Sequence, residues 1–271
     1  MTPPPTPYPN VNAILSELQT HMQRILGPHL VALYLDGSLA NGDFDESSDI
    51  DFIAVTDEDI SAETFETLRL MHAQMNAGPS PWAIQLEGTY LSAQALRRYD
   101  PTHARHPNIE RGLGEALKWV QHGPWWLPHL AIVREKGIVL LGLPPHTLID
   151  PVSPNALRSA MRDMLAEWGR AAPGPINSRG YQSYIVLTLC RVLYTLQHGR
   201  VVSKKFAAQW AQTSLDEAWA GLGEAWAGLI ERAWEGRLNY NAQLDPNDVV
   251  QTLKMVAHFT TGAQHEIKSQ Q

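Results

Sequence analysis

The sequence predicts an α+β fold in two parts, a sheet with helices over residues 1–150 and an α-helical bundle over 151–271. Two apolar runs rich in strand-forming residues, LVALYL (30–35) and IDFIAV (50–55), lie on either side of a turn-rich stretch and read as strands. From Ser153-Pro154 onward the apolar residues instead recur every three or four positions, the helical period. Asp150-Pro151 sits where the one pattern gives way to the other.

The proline-rich start, MTPPPTPYP, reads as a flexible or polyproline-like lead-in. Val11, Ile14, Leu15, Leu18, Met22, Ile25 and Leu26 then line one side of an amphipathic helix that Gly27-Pro28 stops. The two strands follow. Ser61 caps a second helix that runs to the Gly78-Pro79 break. WAIQLEGTY (82–90) reads as a third strand, with Ala83, Gln85 and Glu87 on one face and Ile84 and Leu86 on the other. Residues 92–136 read as irregular and helical; Trp119, Trp125 and Trp126 are expected in the core. His103 and His106 form an H-x-x-H without a further ligand at metal spacing and are expected at the surface. IVLLGLPP (138–145) reads as a further strand or a buried turn.

In the second part, Ser153 caps a helix that has Pro154 at its first position. PGPINSRG (173–180) breaks it, and YQSYIVLTLCRVLYTLQHG follows as a long helix, apolar on more than one side and closed by Gly199. That makes it the centre of the bundle, with Cys190 as packing. Ser203 caps a short helix. A seven-residue repeat pairs Glu217 with Glu224, Trp219 with Trp226 and Leu222 with Leu229 in a further amphipathic helix, and Asp245-Pro246 opens the last one.

Composition narrows the function. With 44% hydrophobic and 18% charged residues, a 271-residue chain can bury sizeable cores. A formal charge of −7 argues against a nucleic-acid backbone as the main partner and suits a cationic small molecule. One cysteine leaves no internal disulfide framework. The N-terminus lacks a basic and apolar leader, and no stretch approaches the ~18 apolar residues of a membrane span, so a cytoplasmic location is expected.

GSLANGDFDESSDID, residues 37–51, carries the chemistry. Asp49 and Asp51 are two apart, so a strand projects both carboxylates from one face as hard oxygen ligands, a pair that suits Mg²⁺ shared with phosphate oxygens. Gly37 permits a tight turn close to a ligand. Ser38 offers a hydroxyl and an N–H to phosphate, and Ser48 adds another donor beside the carboxylates. A D-x-D on a strand or a Gly-Ser turn is ordinary scaffold by itself; strand, turn, short helix and strand in this order give the two a common site. Glu87 reads equally as a general base on a neighbouring strand and as a solvent-facing side chain on an edge.

These residues resemble the GS-x(10)-D-x-D signature of the polymerase-beta-like nucleotidyltransferase superfamily. RVLYTLQHGRVVSKKFAAQWA (191–211) is similar, in addition, to the aminoglycoside nucleotidyltransferases of the streptomycin and spectinomycin adenylyltransferase type. The resemblance implies a mixed sheet domain with helices joined to a C-terminal helical bundle, with ATP and Mg²⁺ bound between them. It implies Asp49 and Asp51 as metal ligands and Glu87 as the base toward a drug hydroxyl. It also implies Ser38 and Ser48 at the phosphates, Lys204 on the triphosphate and Arg191 beside it. The activity implied is AMP transfer from ATP to an alcohol, with pyrophosphate released by a monomeric resistance enzyme. Members that modify streptomycin carry a tryptophan and an aspartate before the central bundle helix, where this chain has Ala172 and Asn177, so spectinomycin is favoured. A protein, an RNA or a non-antibiotic alcohol is the alternative acceptor.

Overall fold

The computed structural model describes residues 4–170, 174–218, 223–240 and 242–269. The chain separates into two compact units, Met1–Val152 and Ser153–Gln271.

In the first unit the order is α1 (Pro9–Leu26), β1 (Leu30–Leu35), α2 (Gly37–Asn41), β2 (Ile50–Thr56), α3 (Ala62–Asn76), β3 (Leu86–Ser92) and α4 (Ala93–Arg97). β4 (Arg105–Ile109), β5 (Lys118–Gln121), α5 (Leu127–Lys136), β6 (Ile138–Leu141) and α6 (Pro145–Leu148) complete it. The strands form one mixed sheet in the order β5-β4-β3-β2-β1-β6. β2 lies antiparallel to β1 and parallel to β3, and the remaining pairs are antiparallel. The parallel pair follows from α3, which carries the chain back across the sheet.

Strand alternation gives the sheet two apolar faces. Leu33, Leu35, Ile50, Phe52 and Ala54 pack against Leu15, Leu18 and Met22 of α1 and Leu68, Met71 and Met75 of α3. Ala32, Tyr34, Ile53, Val55 and Leu91 face the other way, onto Leu96 of α4, Leu130 and Val133 of α5 and Ile149. Ser61 caps α3 by accepting the Thr64 N–H at 3.1 Å, as its sequence position predicts.

Four expectations for this unit are corrected. The third strand begins at Leu86, because Ala83–Gln85 closes a single 3₁₀ turn in which the Ala83 N–H bonds to the Ser80 carbonyl and the Gln85 N–H to that of Trp82. Residues 92–136 contain two strands; the sequence hides them because Pro107 interrupts β4 and β5 is a four-residue exposed edge, so neither alternates cleanly. His106 is buried, not superficial, its ring lying between those of His103 and His122. Of the tryptophans, Trp126 is in the core, while Trp119 is exposed and stacks on Phe65.

The second unit is helical: α7 (Pro154–Arg170), α8 (Arg179–His198), α9 (Lys204–Ala218), α10 (Gly223–Gly236) and α11 (Pro246–Ser269). α8 is its centre, with neighbours α7, α9, α10 and α11 and buried residues from Gly180 to Thr195. Ser153 caps α7, and Gly199 ends α8 in the left-handed conformation. Ser203 caps α9, which at 15 residues is longer than its sequence suggests. Arg232 binds the buried Asp248 through both Nε and an Nη, 2.7 Å at closest, and joins α10 to α11. Trp226 and Leu229 of the repeat are buried; Trp219 and Leu222 lie outside the described residues. Among the described residues no helix is long and apolar enough to cross a membrane.

Candidate active site

The site forms where the end of β1 and the starts of β2 and β3 lie side by side. In the parallel register Asp51 is opposite Glu87, so two carboxylates on adjacent strands emerge on the same face. Asp49, just before β2, joins them. One oxygen from each of Asp49, Asp51 and Glu87 lies within 4.8 Å of the others, and all three residues are half-buried. An all-oxygen donor set of this kind fits a hard divalent cation such as Mg²⁺, and carries none of the nitrogen or sulfur donors that softer metals favour.

The turn beside this cluster is fitted closely to it. Gly37 has φ +58°, and a Cβ there would overlap the Asp51 carboxylate. Only glycine therefore allows β1 to turn into α2 at this distance from Asp51. The Asp36 N–H bonds to the Asp51 carbonyl at 3.0 Å and ties the turn to β2. Among the described residues the buried Ser38 Oγ has no hydrogen-bond partner, so its hydroxyl is left as a donor beside the cluster. Ser48 is differently occupied. Its Oγ accepts the Asp45 N–H at 3.0 Å and donates to Asp45 Oδ1 at 3.2 Å, so it shapes the loop leading into Asp49.

Two features of the site escape sequence reasoning. Arg111, between β4 and β5, donates to the Ser47 carbonyl at 3.0 Å and pairs with Asp49 at 3.4 Å. The only signal was an arginine set between turn residues in IERGLGE; the Gly112 N–H anchors that loop to the Ile84 carbonyl at 2.8 Å. Asp36 is nearly inaccessible, and its Oδ2 accepts from His129 Nδ1 of α5 at 2.9 Å. An acidic residue directly before a Gly-Ser turn was visible in the sequence; its histidine partner, 93 positions away, was not.

In the helical unit Lys204 stands at the start of α9 with Nζ 5.0 Å from the centre of the Tyr184 ring, a cation–π contact. Arg191 is seven residues along α8 from Tyr184, hence two turns on and on the same side. The lysine and arginine singled out from the sequence thus share one side of this unit. Asn177 is exposed before α8, and Ala172 lies outside the described residues.

Residues 147–261 match the family model of the aminoglycoside adenylyltransferase C-terminal domain, and residues 15–79 match that of the nucleotidyltransferase domain. In these two stretches the chain is similar to the aminoglycoside adenylyltransferases. Among its relatives is an aminoglycoside (3'') (9) adenylyltransferase of Klebsiella pneumoniae, 28% identical over 225 residues, covering 76% of this chain and 79% of that protein. A spectinomycin 9-adenylyltransferase of Staphylococcus aureus is 28% identical over 198 residues, covering 69% and 72%. The fold resembles that of a spectinomycin adenyltransferase from Enterococcus faecialis solved with ATP and spectinomycin. The TM-score is 0.66 at 16% identity, over 91% of this chain and 98% of the other. The chain is a nucleotidyltransferase enzyme with a sheet domain and a helical domain, as the motif and the α9 segment implied.

Proposed function

We propose that this adenylyltransferase transfers AMP from ATP to a hydroxyl of an aminoglycoside-type antibiotic, spectinomycin in preference to streptomycin, and releases pyrophosphate. The observation that carries the reading is the convergence of Asp49, Asp51 and Glu87 beside the Gly37-Ser38 turn. The relatives' activities on aminoglycosides and spectinomycin support the class of acceptor.

Asp49 and Asp51 would hold Mg²⁺, which supplies charge neutralisation for the triphosphate. Ser38 donates its hydroxyl to a phosphate oxygen, and the family resemblance assigns Arg191 and Lys204 of the helical unit to nucleotide binding. Glu87 takes the proton from the acceptor hydroxyl. The freed oxygen attacks the α-phosphorus, a P–O bond forms there, and the bond to the β-phosphate breaks so that pyrophosphate carries away the charge. A carboxylate base suits an acceptor that brings its own positive charge to an acidic protein. The preference for spectinomycin rests on Asn177, which lacks the charge an aspartate would present to the guanidinium groups of streptomycin.

Pyrophosphate release from MgATP with spectinomycin, with streptomycin and with neither tests the reading, with Glu87→Gln alongside. Release that requires spectinomycin and is lost in the variant is expected. Equal release without drug would remove the proposed acceptor class, and release only with an added protein or RNA would replace it.

A further inference from the structure

We propose that Asp36 and His129 are positioning residues that, with Lys136, make α5 a brace for the nucleotide-binding turn; this rests on the nucleotidyltransferase reading above. α2 is anchored to α5 at both ends. At its start, His129 Nδ1 donates to Asp36 Oδ2 at 2.9 Å. At its end, Lys136 Nζ donates to Asn41 Oδ1 at 3.0 Å, and Asn41 Nδ2 reaches back to the Gly37 carbonyl at 2.8 Å. His129 and Lys136 are seven residues apart, so both project from one side of α5.

The pair is built for precision. Trp126 stacks on the His129 ring at 4.9 Å and 19° between planes, which fixes the imidazole's orientation. Asp36 is 3% exposed, and its second oxygen is buried; among the described residues His129 is the side chain that satisfies this carboxylate. A buried acid next to a phosphate-binding turn works against an anionic ligand unless it is paired. Between the two anchors sits Ser38, whose buried hydroxyl waits for a partner, while the backbone of Asp36 is held by β2. α5 and β2 together therefore set where Ser38 stands relative to Asp49 and Asp51.

The test is calorimetric binding of the magnesium complex of α,β-methylene-ATP to the full chain, with melting temperatures measured in parallel. H129L should weaken binding at least tenfold while turnover at saturating nucleotide stays within about threefold, because the brace acts on binding geometry. H129N, whose side-chain amide can replace the Nδ1 donor, should bind within about threefold of wild type. D36N added to H129L should recover part of the loss by removing the unpaired carboxylate. K136M, at an exposed position, should weaken binding about threefold without unfolding the unit. Wild-type affinity in H129L or K136M would overturn the brace, as would equal losses in H129N and H129L. Absence of binding by the wild type would overturn the nucleotide reading itself, and this inference with it.

Discussion

Replacing Gly37 by alanine separates a backbone cost from a site cost. Gly37 has φ +58°, where a non-glycine residue loses roughly 1–2 kcal/mol. Its new Cβ would also lie 2.6 Å from Asp51 Cγ. Carbon atoms rest at about 3.5 Å or more, so the carboxylate must move by about 1 Å. A displacement of about 1 Å at a reacting centre can cost about a hundredfold in rate, or about 2.7 kcal/mol of transition-state stabilisation. Gly27→Ala supplies the control: its φ is +52° and nothing lies within 4 Å of the added Cβ. Both variants should lose about 2–8 °C in melting temperature, from 2–4 °C per kcal/mol in a unit of this size. Only Gly37→Ala should lose about a hundredfold in drug-dependent pyrophosphate release. If the two variants turn over within about threefold of each other, the contact between Gly37 and Asp51 does not position the carboxylate.

Glu87→Gln should bind MgATP with near wild-type affinity and lose about 10²- to 10⁴-fold in kcat, the range for a general base; single-turnover kinetics would expose an unchanged chemical step. Asp49→Asn and Asp51→Asn should each remove Mg²⁺-dependent turnover, and a magnesium titration that restores full rate in both would place the metal elsewhere. Burial pushes His72 and His106 down to about 4 and His122 down to about 3, with the neighbouring His103 adding to the effect at His106. The unfolded chain therefore binds these protons first. Their contribution to stability is whole above pH ~6.5 and is lost as pH falls toward 4, at up to about 1.4 kcal/mol per pH unit for each histidine. His122→Phe removes a ring whose two nitrogens are both unpartnered, so denaturant midpoints measured from pH 7 to 4 should show a shallower slope; an unchanged slope would mean His122 is not held neutral by burial.

Much of the architecture and the centre of the site were legible because they are local. The apolar period placed α1, β1, β2, α3, α7 and α8, and Ser61, Ser153 and Ser203 cap their helices where the sequence puts them. β4 and β5 were not legible, since their pairing is what makes them strands and their side chains do not alternate. A dipeptide spacing put Asp49 and Asp51 on one face by geometry alone. The sequence reads Glu87 equally as a base and as a solvent-facing side chain, and the parallel register places it opposite Asp51.

What the sequence determined by itself is the chemistry on offer: a Gly-Ser turn, two carboxylates in step, and a helical half whose α9 segment resembles the aminoglycoside nucleotidyltransferases. What only the tertiary structure decided is which distant groups complete that chemistry. Arg111 reaches Asp49 from a loop 62 residues away, and His129 reaches Asp36 from α5, 93 residues away. Local spacing fixes which way neighbouring side chains point, because backbone periods are short and regular. Pairing across the fold depends on how sheet and helices close over one another, and no period in the chain encodes it.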